Sequence, residues 1–454
     1  MVWNKNFLVF TLLFCFAFLS YANDSQYVIV SFKDKDLSKI VWEDYYSSKS
    51  LERRLRQGLD FNYHDYPIQT SYITSLINAG YQVVDSSRWL NAALVLLSSP
   101  HDSCFDSLSD FSFVNSVEYL GGRMKQEQYH LSQDSTYNEE EGILSSVAIK
   151  SIGLDTLHQE GYLGKDITIA IIDAGFKELQ HLQRFQHLYE DQILGERNFI
   201  DSSFSVYSET MHGTKIMSLF SCKNGQELIG GSPKANFWLL VSEAAYDEYP
   251  LEEFYYVKAL EFCDSVGVDI VNASIGYNRF DSVEDSYQIH DLYTKRSISS
   301  RASSIAASKG ILLVTSAGNE GTSSWKEVTI PADADSIIAV GATNFKGEPA
   351  YFASYGREGA QLVRPNLSAP GDKVYTLNEN GRFTLSYGSS YAAPLISAAI
   401  ACLWEKYPSI KAYDMIQYLE QTATHHSNPE LQTGYGFPDL KKLLRFLDTI
   451  DQSR

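Results

Sequence analysis

Ile167-Thr168-Ile169-Ala170-Ile171-Ile172-Asp173-Ala174-Gly175 is the stretch on which the fold class turns. It is a short, mostly apolar run that ends on an acid and two small residues. A run of this length without strict alternation reads as a strand covered on both faces, the pattern of a parallel sheet between helices. Similar runs follow at residues 236–241, 270–275, 311–316 and 337–340. Helical stretches fall at residues 214–220, 251–265, 299–308, 390–404 and 412–421. Strands and helices in alternation predict an α/β domain with a parallel sheet and helices on both faces, over residues 145–454.

Upstream, residues 23–122 predict a separate small domain. Gln26-Tyr27-Val28-Ile29-Val30-Ser31-Phe32 alternates and is β-branched, as a strand should be. A helix around residues 51–57 carries Arg53, Arg54 and Arg56, and a second spans about 68–78, before Gly80 as a C-cap. Strands at 81–84 and 92–97, a short helix at 104–108 and a closing strand at 113–119 complete two β-α-β passes. That order suits a small ferredoxin-like α+β fold with its helices on one face. Residues 123–144 are polar and aperiodic and read as a linker. At the start, Lys5, the apolar run 7–19 (broken only by Thr11) and Ser20-Tyr21-Ala22 predict a secretory signal peptide over residues 1–22. The run is too short to span a bilayer, so an exported protein without a membrane anchor is expected, periplasmic or extracellular.

Composition narrows the partners. A formal net charge of -19 argues against nucleic acid, whose phosphates call for basic patches, and against anionic membranes. The 44% hydrophobic fraction supplies a sizeable core. Beyond the signal segment, Cys104, Cys222, Cys263 and Cys402 are too sparse for a disulfide scaffold. They read as small buried hydrophobes; a single disulfide is left open, with no pair singled out.

Four segments carry chemistry. Asp173 stands at a strand's C-terminal end, where functional groups gather in open α/β sheets. His212-Gly213-Thr214 opens an apolar helix. Gly388-Ser389-Ser390-Tyr391-Ala392-Ala393-Pro394 opens another, with Pro394 expected in its first turn. Ala317-Gly318-Asn319-Glu320-Gly321 follows a strand. Each alone has a plainer reading: a turn acid, a capping histidine, a helix cap, a turn amide. Together they provide an orienting acid, a general base, a nucleophile at a helix N-terminus and an oxyanion donor. The order Asp, His, Ser separates one unrelated fold from the others that use these parts.

On those residues the chain resembles the subtilisin-like serine proteases, over about residues 145–440. The resemblance makes Asp173, His212 and Ser390 the triad and Asn319 the oxyanion amide. Ser274-Ile275-Gly276 resembles the strand that pairs with substrate, and Ala317-Gly318 the neighbouring pocket wall, roomy enough for a broad or apolar preference. Ser389 stands where the family usually has Thr, and Tyr391 where it often has Met; counting from Gly388 and back from Pro394 selects Ser390. Residues 172–176, 275–278 and 433–436 resemble exported enzymes of a Bacteroidetes-like branch. The small domain resembles a subtilase propeptide, which implies a self-processing precursor inhibited by its own N-terminal unit. No cofactor or metal is required by the resemblance; structural calcium is compatible with it and falls on no particular residues. Two alternatives share the fold: a catalytically silent peptide-binding module, and a peptide ligase using the same acyl-enzyme.

Overall fold

In the computed structural model, the described residues are 26–38, 40–97, 103–122 and 142–451. The expected signal peptide and residues 123–141 of the expected linker lie outside the described residues. The N-terminal unit comprises β1 (Gln26–Phe32), α1 (Ser48–Gln57), α2 (Thr70–Asn78), β2 (Gln82–Ser87), β3 (Ala92–Leu97), α3 (Ser103–Ser109) and β4 (Val114–Gly122). Its sheet runs β2-β3-β1-β4 with antiparallel pairing throughout, the ferredoxin-like order. Alternation decides which side chains face where. Val28, Val30 and Phe32 of β1, with Ala93, Val95 and Leu97 of β3, pack on Leu76 of α2 and Leu108 of α3. Ile29, Ala92 and Leu94 point the other way, into the core of the larger domain. Burial on both faces is why β3 is an unbroken apolar run.

The larger domain begins with α4 (Gly142–Ser151), α5 (Asp155–Gln159), β5 (Thr168–Asp173), α6 (Leu188–Asp191), β6 (Ile193–Asn198) and α7 (His212–Phe220). Next come β7 (Cys222–Asn224), β8 (Glu227–Ile229), β9 (Asn236–Val241), α8 (Leu251–Val266), β10 (Ile270–Ala273), α9 (Ile298–Ser308) and β11 (Leu312–Ser316). The last elements are β12 (Ile338–Thr343), β13 (Leu367–Pro370), β14 (Val374–Leu377), β15 (Phe383–Ser386), α10 (Ser389–Lys406), α11 (Ala412–Thr422) and α12 (Leu440–Asp451). Seven parallel strands form the main sheet in the order β13-β12-β11-β10-β5-β9-β6. Ile169 and Ile171 face α7 and α10, while Ala170 and Ile172 face α8 and α9. The chain lays β6 and β9 on one side of β5, then crosses to lay β10 to β13 on the other. The crevice at the C-terminal ends of β5 and β10 is therefore the switch point of the sheet, where α/β folds place their sites.

Two strand boundaries, and one strand that the sequence did not announce, differ from the sequence reading. β10 ends at Ala273, so Ser274-Ile275-Gly276 lies beyond the ladder. β12 runs on to Thr343 because β13 pairs with it, Gly341 opposite Ser368 and Thr343 opposite Pro370. Ser368-Ala369-Pro370 is thus an edge strand, where a proline's missing N–H costs least.

The two units meet through charge as well as through the apolar face of β1 and β3. Helix α1, capped by the Ser47 hydroxyl at one end and left-handed Gly58 at the other, turns Arg53 and Arg54 toward the larger domain. Arg53 pairs with Asp264 and donates from Nη1 to the Val268 carbonyl at 2.6 Å. Arg54 Nη2 bridges Asp264 Oδ2 (2.7 Å) and Asp65 Oδ1 (2.8 Å). Lys309 Nζ donates to Asp65 Oδ2 and Asn62 Oδ1, each at 2.8 Å. The Asp65, Asp264 and Lys309 side chains are fully buried.

Candidate active site

Asp173 is the last residue of β5 and is fully buried; His212 is the first residue of α7. The two are held together by the backbone as well as by their side chains. The Gly213 N–H donates to the Gly175 carbonyl at 2.9 Å. A Cβ at Gly213 would come within 2.6 Å of that oxygen and 2.7 Å of the Phe176 ring, so only glycine lets the helix start this close to the sheet. His212 Nδ1 lies 2.8 Å from Asp173 Oδ2 and 2.9 Å from Oδ1, and Oδ1 also accepts the Ala174 N–H at 2.8 Å. Burial alone would lower the imidazole's pKa; the charge and hydrogen bond of Asp173 outweigh it and raise His212 above its ordinary 6.5. A carboxylate on Nδ1 leaves Nε2 as the ring nitrogen available for proton transfer.

Ser390 sits in the first turn of α10, after Gly388 at φ 149°. Its N–H belongs to the turn whose amides have no intrahelical partner, at the positive end of the helix. Pro394 is the sixth residue of α10, one turn later than the sequence reading placed it. The reason is local: the amide that proline lacks is the one that would have bonded the Ser390 carbonyl. The Ser274 hydroxyl takes over, donating to that carbonyl at 3.1 Å. Ser274 Oγ accepts from Asn272 Nδ2 at 3.2 Å, and Asn272 Oδ1 accepts from Ser397 at 2.9 Å. A buried polar chain thus ties α10 to β10. Asn272 was its legible trace, a fully buried amide inside an apolar strand. The Tyr391 ring lies 5.8 Å from the His212 ring, which sets the serine turn beside the imidazole. No hydrogen bond joins the Ser390 hydroxyl to His212 here; the only partners of the ring nitrogens among the described residues are the Asp173 oxygens.

Asn319 follows β11. Its Oδ1 accepts the Ser389 N–H at 2.8 Å and the Ser389 hydroxyl at 3.1 Å, so Nδ2 is the end left to donate. Ser389 Oγ in turn accepts the Gly318 N–H at 3.1 Å. Fully buried Ser389 is therefore engaged in holding Asn319, a role the sequence did not signal. Of the other expected site residues, Ser274, Ile275 and Gly276 line the crevice edge beyond β10. A Cβ at Gly276 would come within 2.3 Å of Thr329 Oγ1, and the Ile275 carbonyl accepts from Ser316 at 3.1 Å. Ala317 donates to Val340 at 2.9 Å and accepts from Thr329 at 3.0 Å, so with Gly318 it can serve as a wall and not as a free backbone pair.

Among the described residues, no group of three or more His, Cys, Asp or Glu side chains is placed to hold a metal ion. Cys222, Cys263 and Cys402 are buried free thiols, and burial pushes the Cys222 thiol up to about 12.

Comparison with known proteins follows the same lines. The subtilase family model matches residues 164–437, and the Bacteroidota peptidase S8 propeptide domain matches residues 27–136. Subtilisin amylosacchariticus of Bacillus subtilis subsp. amylosacchariticus is 26% identical over 329 residues, 70% of this chain and 78% of that protein. Subtilisin E of Bacillus subtilis (strain 168) is 25% identical over the same shares. Among solved structures, the epidermin leader peptide processing serine protease of Staphylococcus aureus superposes with a TM-score of 0.63 at 17% identity, covering 94% of this chain and 99% of that one. Fervidolysin of Fervidobacterium pennivorans also gives 0.63 at 17% identity; 93% of this chain is covered but only 61% of fervidolysin. The chain belongs to the subtilase family: it is a serine-type peptidase with a Bacteroidota-type propeptide domain ahead of its peptidase domain.

Proposed function

We propose that the chain is an exported endopeptidase, made as a self-processing precursor, that cuts peptide bonds through Asp173, His212 and Ser390. The observation that carries this reading is the buried Asp173 carboxylate on Nδ1 of an imidazole set beside the turn of α10 that bears Ser390. In the proposed reaction His212 Nε2 takes the Ser390 hydroxyl proton as Oγ bonds to the scissile carbonyl carbon. The oxyanion receives the Ser390 N–H and Asn319 Nδ2. His212 then gives that proton to the departing amine as the C–N bond breaks, leaving an ester on Ser390. Water, deprotonated by the same imidazole, resolves the ester to a carboxylic acid and restores the serine. Asp173 keeps the tautomer and stabilises the imidazolium at each step. Substrate lies extended along Ser274-Ile275-Gly276.

Export rests on the segment 1–22, and self-processing on the propeptide match together with the close docking of that unit. Ser390→Ala tests the core of the reading. The expected result is an uncut full-length protein without peptidase activity; normal maturation and turnover in that variant would remove Ser390 from the role.

A further inference from the structure

A cavity of about 150 Å³ opens beside the catalytic pair, on the side of β5 away from Ser390. Its walls come from Ala174 just after Asp173, from Asn198 and Asp201 past β6, from Glu209 ahead of His212, and from Val241 and Glu243 at the end of β9. Among the described residues, the wall contains three carboxylates and no Lys, Arg or His. Glu243 Oε1 accepts the Ser242 hydroxyl at 2.6 Å and the Tyr277 hydroxyl at 2.7 Å, while Oε2 accepts no hydrogen bond among the described residues. Elsewhere in this protein the buried carboxylates Asp65 and Asp264 are each met by two cations. No ion-pair partner meets Glu243 or Glu209 among the described residues, and the groups that act on Glu243 from neighbouring elements are Glu248, Asp173 and Tyr277. Burial, with Glu248 and Asp173 adding to it against those two hydrogen bonds, pushes Glu243 up to about 8. Glu248 is likewise raised to about 7, and Glu252, which faces Glu243, well above its ordinary value. Among the described residues, then, no positive charge meets the cavity.

Its position says which part of a substrate would bring one. An extended peptide alternates its side chains between opposite sides. With the residue at the scissile bond lodged between the ends of β10 and β11, against Ala317 and Gly318, the residue before it points toward β5 and β9. We propose that this cavity selects the substrate residue immediately upstream of the one at the scissile bond, and that Glu243 and Glu209 make it prefer Lys or Arg there. The inference rests on the peptidase reading above and adds its substrate class.

The test uses matched peptides that differ only at that residue, Lys against norleucine, with kcat/KM measured on the full chain after maturation. The expected Lys-to-norleucine ratio is about tenfold or more, the size of one partly desolvated charge pair. It should rise from about pH 7 to about pH 9 as Glu243 ionises while the lysine stays charged. His212 titrates for both peptides and cancels in the ratio. Glu243→Gln should lower the ratio severalfold, and Glu209→Gln, at an exposed position, provides a second variant free of folding effects. Cleavage of both peptides without a Lys preference would overturn the inference and leave the peptidase reading intact. A preference unchanged in both variants would also overturn it, and no cleavage of either peptide would overturn both.

Discussion

Asp173 and Asp264 are both fully buried carboxylates, and they are used in opposite ways. Asp264 meets the guanidinium groups of Arg53 and Arg54, both from the other unit. Its charge is neutralised on all sides, and the result is adhesion. Asp173 meets a single imidazole whose far side is one-third exposed, at 32%. That charge is only half answered, and the remainder is available to stabilise an imidazolium when one forms. Saturation makes a clasp, and incompleteness makes a reactive site. The same logic marks Glu243, whose wall holds no cation among the described residues.

The largest effect should come from unbalancing the incomplete site. Asp173→Asn keeps the shape but offers Nδ1 an amide, favouring the wrong tautomer; a loss of about 10⁴ in kcat is expected. A loss below tenfold would mean that Asp173 is only a turn residue. Asp264→Ala should leave the buried Arg53 with backbone carbonyls alone and Arg54 with only Asp65, at a cost of about 3–5 kcal/mol. Denaturant unfolding of the full-length Ser390→Ala chain, expected to stay uncut, measures this. Replacing Arg53, Arg54 and Asp264 together with Met, Met and Leu should recover most of the loss. An unchanged midpoint for Asp264→Ala alone would show the clasp to be incidental. Ser274→Ala removes the hydroxyl that serves the Ser390 carbonyl in place of Pro394. A drop of about 1 kcal/mol in transition-state stabilisation, seen in kcat with KM little changed, is expected.

The two regions should also titrate in separate windows. His212 is raised above 6.5 by its carboxylate, so the active neutral imidazole appears only above that value, and the acid limb of kcat/KM should lie there. In Asp65, burial would raise the carboxyl, but Lys309 and Arg54 hold it below 3.8. A depressed acid contributes stability above its unfolded value and loses it as pH falls through the folded one. The clasp should therefore persist down to about pH 4 and open only below it, well under the pH at which catalysis has failed. Loss of propeptide contact near neutral pH, followed by gel filtration of the cut but unseparated units, would contradict this.

Much of the fold was legible because it rests on period. The unbroken apolar runs of β5 and β9 could only be strands buried on two faces, and the alternation in β1 announced a sheet with two different sides. The order of the proposed catalytic groups could be read off because each sits where chain direction puts it, at a strand end or a helix start. What escaped reading depended on three-dimensional neighbours. Arg53 and Arg54 look like solvated helix charges until Asp264, far along the sequence, buries them. Pro394 looks like a first-turn proline until the helix is seen to start at Ser389. Ser389 and Ser390 are chemically identical in sequence and differ only in what surrounds them: Asn319 and Gly318 take up Ser389, and among the described residues no such engagement claims the hydroxyl of Ser390.

That last distinction gives the most direct measurement. A fluorophosphonate probe reacts only with an activated serine, and mass spectrometry locates the adduct. On the matured protein, the adduct is expected on Ser390, at a rate that rises through a pH above 6.5 and collapses in Asp173→Asn. An adduct on Ser389, or none on a folded protein freed of its N-terminal unit, would contradict the assignment of Asp173, His212 and Ser390 as one catalytic unit.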